Sequence, residues 1–407
     1  MHYSPHLPTA YISLATIAAN FALMAKHTEA ARSRLGKAPE AAALHLPQEG
    51  DINFAWPTQL AVTKADAYGH GHVEVARRLC SQGARMFASG SVQESVVLRE
   101  ALRGLEPFPA ILSLLGLVGP DDVELCAAHG IVPVVHSFEQ LPMLEGLKRP
   151  LSIAIKCNTG MSRLGFNESD MPGLLQALAS LKMVRPVIAL SHLASADTDH
   201  GREEVARQGS IFARMLEALR SCWPGLAASL GNSAGTLLAD DINAAIGPHV
   251  CRPGLTLYGS NPFEGTKLVE LGAGLKNAMD VSAPILAMRE LKAGDGLGYG
   301  HTFVADKDTP IAIVGTGYAD NYSRGLSNKG VMCVEGVRTP VLGRVSMQMT
   351  AVGLEGLPKG APRPGLAWLM GGPHPNAVSA TELARLWGTI TYEVFCLLGY
   401  NTRVFVD

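Results

Sequence analysis

The sequence lacks an excess of either charge. Its 34 basic and 36 acidic residues leave a formal net charge of −2, so neither nucleic acid nor an anionic membrane is expected as a partner, and a small-molecule substrate fits better. Cysteine is scarce and scattered. The seven (Cys80, Cys126, Cys157, Cys222, Cys251, Cys333, Cys396) are odd in number and never form a CxxC pair, which argues against a disulfide framework and a zinc site and implies a reducing compartment. The 13 histidines show no HExxH or clustered ligand spacing, so no metal is expected. Long hydrophobic runs are missing too. The apolar stretch 10–25 contains Asn20, is too short to span a bilayer and follows no basic residue, so the expectation is a cytoplasmic protein without a membrane segment. Internal repeats and low-complexity tracts are absent.

What is present is a chain of 407 residues, 47% hydrophobic and 17% charged, the texture of a well-buried globular protein too long for one core. A strand at 11–14 runs into an amphipathic helix. From Gln59, short apolar β-rich runs alternate with helical segments: candidate strands lie at 59–64, 86–89, 110–114, 131–136, 151–156, 186–192, 228–230 and 249–251. Eight alternations suggest a closed barrel. Between them, 73–82 puts Val73, Ala76, Leu79 and Cys80 on one face, and 202–220 forms a second helix. After Ala273, strand-like runs separated by glycine-rich turns follow at 281–290, 310–316, 330–334 and 367–370. Ser379 and Glu382 have capping-box spacing before Leu383, Leu386 and Trp387, and 392–398 is apolar and helical. The expected fold is therefore α/β: an N-terminal (β/α)8 TIM-like barrel over 1–273, its first strand free to join the second domain, and a mostly β C-terminal domain over 274–407. Residues 38–51 have no clear period and read as a surface insertion.

Barrels of this kind carry their chemistry at the C-terminal ends of the strands, and those ends are rich here. The first ends in Lys64, the fifth in Lys156, the sixth in His192, the seventh in Gly231-Asn232-Ser233 and the eighth in Arg252-Pro-Gly254-Leu255. A lysine leaving an apolar strand is partly desolvated, which favours the neutral amine that forms a Schiff base; the bland alternative is a lysine snorkelling to the surface. Gly69-His70-Gly71 offers a tight connection into the next helix. Ser233 and the amides of Gly254 and Leu255 stand where barrels commonly hold a phosphate, although Asn232-Ser233 equally suits an ordinary helix N-cap. His192 equally suits a satisfied buried histidine.

Taken together, Val62-Thr-Lys64-Ala-Asp-Ala-Tyr68-Gly-His-Gly71, Asn158-Thr-Gly-Met-Ser-Arg163, Ser191-His192-Leu-Ala-Ser-Ala-Asp197, Asn232-Ser233-Ala, Arg252-Pro-Gly-Leu-Thr-Leu-Tyr258, Gly298-Tyr299-Gly, Gly317-Tyr318-Ala-Asp, Gly343-Arg-Val-Ser-Met347 and Thr391-Tyr392-Glu resemble the alanine racemases, in order, from about Tyr11 to the C-terminus. The resemblance implies a pyridoxal 5'-phosphate enzyme that interconverts L- and D-alanine, with Lys64 holding the cofactor and serving as one base. Tyr299 is implied as the second base, on the opposite face; a phenol ordinarily keeps its proton at neutral pH and needs help. His192 and Arg252 are the implied helpers, the arginine facing the pyridine nitrogen. Tyr68, Asn232, Ser233, Gly254, Leu255 and Tyr392 are implied around the cofactor, with Arg163, the Met347 amide and Tyr318 toward the substrate. Lys156 is implied to be carbamylated. Because Tyr299 and Met347 come from the partner subunit in that family, a head-to-tail homodimer with shared active sites is implied, as is a role in D-alanine biosynthesis for peptidoglycan.

The sequence departs from the family pattern at Asn158 (aspartate is usual), Ser162 (glycine), His301 (arginine) and Gln348 (aspartate). Two lost carboxylates keep a broad-specificity, serine or lysine racemase open as an alternative. A pyridoxal-phosphate decarboxylase and a non-catalytic carrier of the cofactor are the readings from other classes.

Overall fold

A parallel strand covered on both faces shows no alternation, and the strands of the first half have that character: Met86–Ser89 and Ile131–Val135 are buried throughout, and Leu151–Lys156 is buried up to its final lysine. In the computed structural model, which describes residues 8–36, 42–46, 50–105, 108–358 and 363–407, seven such strands pair in parallel. Their order is Ala227–Ser229, Val184–Leu190, Leu151–Lys156, Ile131–Val135, Ala110–Ser113, Met86–Ser89 and Ala61–Val62. Residues 249–253 close the ladder. Val250 N donates to Ala228 O at 2.8 Å and Arg252 N to Gly231 O at 2.8 Å, while Leu60 N donates to Cys251 O at 2.9 Å and Val62 N to Pro253 O at 3.0 Å. The expected (β/α)8 barrel is thus the fold of the first half, and closure sets the end of the eighth strand beside that of the first.

Crossover helices supply its outer layer, among them His72–Ser81 and Gly201–Cys222, one to two residues from the positions read from sequence. Three other segments differ from expectation. The strand expected over 59–64 is only Ala61–Val62 plus a bridge from Gln59 to Cys251, because the chain turns sharply at Lys64. The strand expected at 11–14 is Thr9–Ser13, and Leu14 already opens the helix Leu14–Leu35. The segment 38–51 is partly outside the described residues; within them, Ala42–Leu46 pairs antiparallel with Gly50–Phe54, so a hairpin stands where an irregular insertion was expected.

The chain divides into two compact units. The barrel unit comprises Ile17–Ala67 and His72–Leu275; the other comprises Tyr68–Gly71, Lys276–Asp407 and the described part of Met1–Thr16. In the second unit Met279–Leu291 pairs along its first part with Thr9–Ser13 and Leu366–Met370, and along its second with Thr309–Val314. A bulge between Ile285 and Ala287 lets one strand serve both edges. The sheet of eight strands therefore closes on itself through Thr350–Gly353, Val337–Leu342 and Val331–Val334, with Thr402–Val406 added parallel to Thr9–Ser13. Ser379 caps the helix Ala380–Trp387 by accepting from Glu382 N at 3.1 Å, and Gly388 ends it at φ 84°. The helix Thr391–Leu398 follows.

Among the described residues no helix is long and apolar enough to cross a membrane, and no three His, Cys, Asp or Glu side chains are grouped to hold a metal ion.

Gly69 is one position where this unit admits no side chain. Its φ is +80°, and a Cβ there would sit 2.5 Å from Phe395 O and 3.1 Å from the Gly399 Cα. Gly36 has φ +68° with nothing within 4 Å of the Cβ position, so it isolates the backbone cost. Gly69→Ala should lose about 3 kcal/mol or more in denaturant unfolding and Gly36→Ala about 1 kcal/mol; equal losses would show that the close approach contributes nothing.

Candidate active site

Lys64 is delivered by a left-handed turn. After Thr63 N donates to Ala88 O at 2.8 Å, Ala65, Asp66, Ala67 and Tyr68 all adopt φ of 52–55°. None of them is glycine, and each such residue costs about 1–2 kcal/mol. The compensation is local: Ala67 N donates to Thr63 O at 2.8 Å, His72 N donates to Asp66 Oδ1 at 2.8 Å, and the Glu94 carboxylate accepts Asp66 N at 2.9 Å and Gly90 N at 2.5 Å. Glu94 stands in the first turn of the helix Val92–Ala101, whose N-cap Ser91 accepts from Glu94 N at 3.1 Å. From sequence the tight connection was expected at Gly69–Gly71. It begins four residues earlier, and Glu94 was overlooked although Ser91-Val-Gln-Glu94 has the spacing of a helix start.

At the ends of the fifth, sixth and eighth strands, the half-buried Lys156 and His192 and the buried Arg252 form a group of basic side chains. Arg252 is only 5% exposed; its Nη1 donates to Ser229 Oγ at 2.6 Å, and its Nη2 to Ser191 O at 2.5 Å and Leu230 O at 3.4 Å. Burial lowers its pKa to about 10, so it stays charged at neutral pH. The same Nη2 lies 3.3 Å from His192 Nδ1. A guanidinium only donates, so Nδ1 is the acceptor and the proton of the neutral ring resides on Nε2. Burial, then Arg252, Lys156, Lys64 and Arg163, hold His192 well below the ordinary histidine value. Lys156 is pushed down to about 7, first by burial, then by Arg252, with Arg163 and Lys64 adding to it.

Gln208, absent from the sequence expectations, sets the His192 loop. It is fully buried; Nε2 donates to His192 O at 3.0 Å and to Thr159 Oγ1 at 2.8 Å, and Oε1 accepts Ala194 N at 2.7 Å. Its signal was legible as a polar residue between Val205 and Phe212 on the apolar stripe of its helix.

Ser233 Oγ accepts Gly254 N at 3.0 Å and Thr256 N at 3.4 Å, which leaves its own hydroxyl proton to donate. The Thr256 hydroxyl is buried without a hydrogen-bond partner among the described residues. Asn232 is the N-cap it resembled: Oδ1 accepts Gly235 N at 3.0 Å, and Nδ2 donates to Leu193 O at 3.4 Å. Arg163 is exposed, in a loop organised by Asn158, whose Oδ1 accepts Gly160 N at 3.2 Å and Ser162 N at 2.9 Å. Asn158 Nδ2 also donates to Asn167 Oδ1 at 2.9 Å, which a carboxylate could not do. Ser162 has φ 53°, a conformation that explains why glycine is usual there.

The second unit assembles its own group. Tyr318 N donates to Ser346 O at 3.1 Å and Ala319 N to Met347 O at 2.9 Å, binding the Tyr318 and Met347 loops together. Asp320 accepts Gly317 N at 3.0 Å and a bond from the Gln348 side chain, a pair that aspartate at 348 would turn repulsive. Tyr299 opens a turn with positive φ at Gly298, Gly300 and His301, and the His301 ring lies over Gly296, 2.4 Å from where a Cβ would stand. Tyr299 is 71% exposed, Met347 58% and Tyr318 43%. Tyr68 and Tyr392 pack with ring centroids 5.7 Å apart, and burial raises the Tyr68 phenol pKa, with Tyr392 adding to it. The barrel thus brings Lys64, Lys156, Arg163, His192, Arg252 and Ser233 to its strand ends. The second unit supplies Tyr68 with Tyr392, and Tyr299, Tyr318 and Met347 on neighbouring loops.

Residues 55–262 match the family model for the alanine racemase N-terminal domain, and residues 278–406 the C-terminal domain. The chain is 48% identical to an alanine racemase of Nitratidesulfovibrio vulgaris (strain Miyazaki F) over 85% of this chain and 91% of that protein, and 36% identical to a catabolic alanine racemase of Rhizobium johnstonii over 83% and 85%. Among solved structures it is similar to the alanine racemase of Bartonella henselae with covalently bound pyridoxal phosphate, at TM-score 0.79 and 26% identity over 99% of this chain and 100% of that one. The biosynthetic alanine racemase of Pseudomonas aeruginosa matches at TM-score 0.75 and 30% identity over 99% and 100%.

The His192 assignment has a direct check. Its carbon-bound ring proton should show a flat NMR shift from pH 8 down to about 5, whereas a full step centred near 6.5 would refute the neutral ring. Because the folded pKa is depressed, the unfolded chain takes up this proton first, so the stability this group contributes is lost as pH falls from 6.5 toward the folded value.

Proposed function

The chain belongs to the alanine racemase family, and on that premise we propose that it interconverts L- and D-alanine with Lys64 and Tyr299 as opposed bases. The family depends on pyridoxal phosphate. The residues fit that group: Lys156, Arg163, Arg252 and Lys64 concentrate positive charge at the strand ends, and no carboxylate figures among the groups that act on Lys156 or His192. A buried guanidinium with further cations beside it calls for anions, here a phosphate and a substrate carboxylate. This excess of positive charge is the observation that carries the reading.

Lys64 would hold the cofactor through Nζ. The Ser233 hydroxyl, the Gly254 and Leu255 amides, Tyr68 and Tyr392 would take its phosphate, with Asn232 fixing the Ser233 turn. Arg252, charged at neutral pH, would face the pyridine nitrogen and disfavour its protonation. When bound, pyridoxal phosphate supplies a sink for the electron pair left at the substrate Cα. Arg163 and the Met347 amide would orient the carboxylate, with Tyr318 beside them. Lys64 Nζ would then move the Cα proton on one face and Tyr299 Oη on the other, which inverts the centre. His192, neutral and with Nε2–H available, would hold the tyrosine oxygen.

The exposure of Tyr299, Met347 and Tyr318 supports a head-to-tail homodimer in which these loops serve the partner's barrel. Lys156, lowered to about 7, offers a neutral amine that can add carbon dioxide and release a proton; Arg252, Arg163 and Lys64 would stabilise the resulting carbamate. The seven free cysteines favour a cytoplasmic setting.

Lys64→Ala should abolish racemisation. Tyr299→Phe should lower it by about 10²–10⁴-fold while Cα exchange with D2O persists for one enantiomer only. Loss of exchange for both enantiomers alike would sink the two-base reading, carbon dioxide release from substrate would reveal a decarboxylase, and faster turnover of serine or lysine than alanine in a panel of pure enantiomers would overturn the substrate. Mixing the two variants under subunit exchange should restore activity if sites are shared; no recovery would contradict the shared site. Under 13CO2 the enzyme should show one carbamate carbon resonance that Lys156→Met removes, and its absence would refute the modification.

A further inference from the structure

The turn that carries Tyr299 is the loop of a short hairpin in which Gly296–Leu297 pairs with Phe303–Val304. Gly298, Gly300 and His301 have φ of 66°, 68° and 44°, a conformation that glycine adopts freely and His301 only at a cost. On one side Gly343 approaches Leu297 O so closely that a Cβ would stand 3.0 Å away, and a Cβ on Gly300 would lie 3.7 Å from the Arg344 guanidinium carbon. The Tyr299 turn therefore leans on the loop that leads to Met347. A third segment ties the two together.

That segment is 327–328. Asn328, itself at φ 54°, pairs with Gly343 as one peptide group pairs with another: its N donates to Gly343 O at 3.1 Å, and its Oδ1 accepts Gly343 N at 2.6 Å. Its Nδ2 is left to the other loop and donates to Thr302 Oγ1 at 3.2 Å and to Thr302 O at 3.4 Å, three residues beyond Tyr299. Ser327 Oγ accepts Val345 N at 3.0 Å, two residues before Met347. Asparagine suits the position twice over: it tolerates the left-handed backbone, and its amide carries an acceptor for one loop and a donor for the other.

We infer that Asn328 is a positioning residue for racemisation, whose side-chain amide sets the spacing between the Tyr299 phenol and the Met347 amide by bridging Thr302 to Gly343. The inference rests on the reading of Tyr299 as a base and adds which residue places it. Its Thr302 bridge bears on the face that Tyr299 serves, because the barrel residues around Lys64 are held by Glu94, Gln208 and Arg252 instead.

The test follows Cα deuterium incorporation in D2O from L-alanine and from D-alanine, separately, with the holoenzyme. Asn328→Asp keeps the Gly343 bond and removes both donors to Thr302; it should slow, by about tenfold, only the exchange that Tyr299→Phe also suppresses, leaving the other enantiomer at the wild-type rate. Thr302→Ala, which deletes only the Oγ1 acceptor, should shift the same exchange in the same direction, and Thr302→Ser should restore it. This pair carries the test if Asn328→Asp does not fold. Equal slowing of both enantiomers by these variants, or no slowing of either, would overturn the inference about Asn328. If Tyr299→Phe itself slows both enantiomers alike, the two-base reading fails instead.

Discussion

A guanidinium buried across the ends of three parallel strands sets the terms for its neighbours. Arg252 belongs to the strand that closes the barrel, and its hydrogen bonds to Ser191 O, Ser229 Oγ and Leu230 O reach the two preceding strands in the ring. Burying a cation is costly unless such acceptors replace water, and here they are carbonyls and a hydroxyl rather than a carboxylate. The positive charge is therefore held but not neutralised. His192 is kept uncharged, with its proton on the nitrogen away from Arg252, and Lys156 is brought near the point where its amine loses its proton. Burial lowers both groups first and the fixed cation adds to it, which leaves the strand ends in want of an anion.

The two units hold their functional residues by different physics. In the barrel, burial and side-chain hydrogen bonds fix Lys64, His192 and Arg252, with Glu94 and Gln208 as hidden supports. In the second unit Tyr299, Tyr318 and Met347 are exposed, so their placement depends on backbone-to-backbone pairing between loops and on the Asn328 amide. The departures from the family pattern become intelligible in these terms. Asn158 trades a carboxylate for a donor that reaches Asn167, Gln348 bonds Asp320 where a second acid would repel it, and His301 lays its ring over Gly296. Ser162 is a left-handed serine, a local cost for which nothing in the structure shows a return.

Much of the barrel was legible because its strands are short apolar runs between helices of clear period, as at 131–136 and 151–156. The second unit was less so. Val337–Leu342 contains Arg338 and Pro340 on its exposed positions, and Thr402–Val406 is a short edge strand, so neither carries the unbroken apolar signal of a buried strand. The left-handed turn after Lys64 left little trace in composition, since of Ala, Asp, Ala and Tyr only the aspartate tolerates positive φ well. Its cause lies in Glu94, on the next helix.

The sequence alone determined which chemistry-bearing residues end each strand, the period of the elements around them and, through ordered motifs, the family. These are properties of local spacing, and spacing survives in a linear text. The protonation of His192 and Lys156, the donor role left to the Ser233 hydroxyl and the bridge made by Asn328 were decided only by tertiary structure. Each depends on burial and on partners far apart in the chain, such as Arg252 with Ser191 or Asn328 with Thr302, and desolvation and hydrogen-bond geometry exist only once those residues meet.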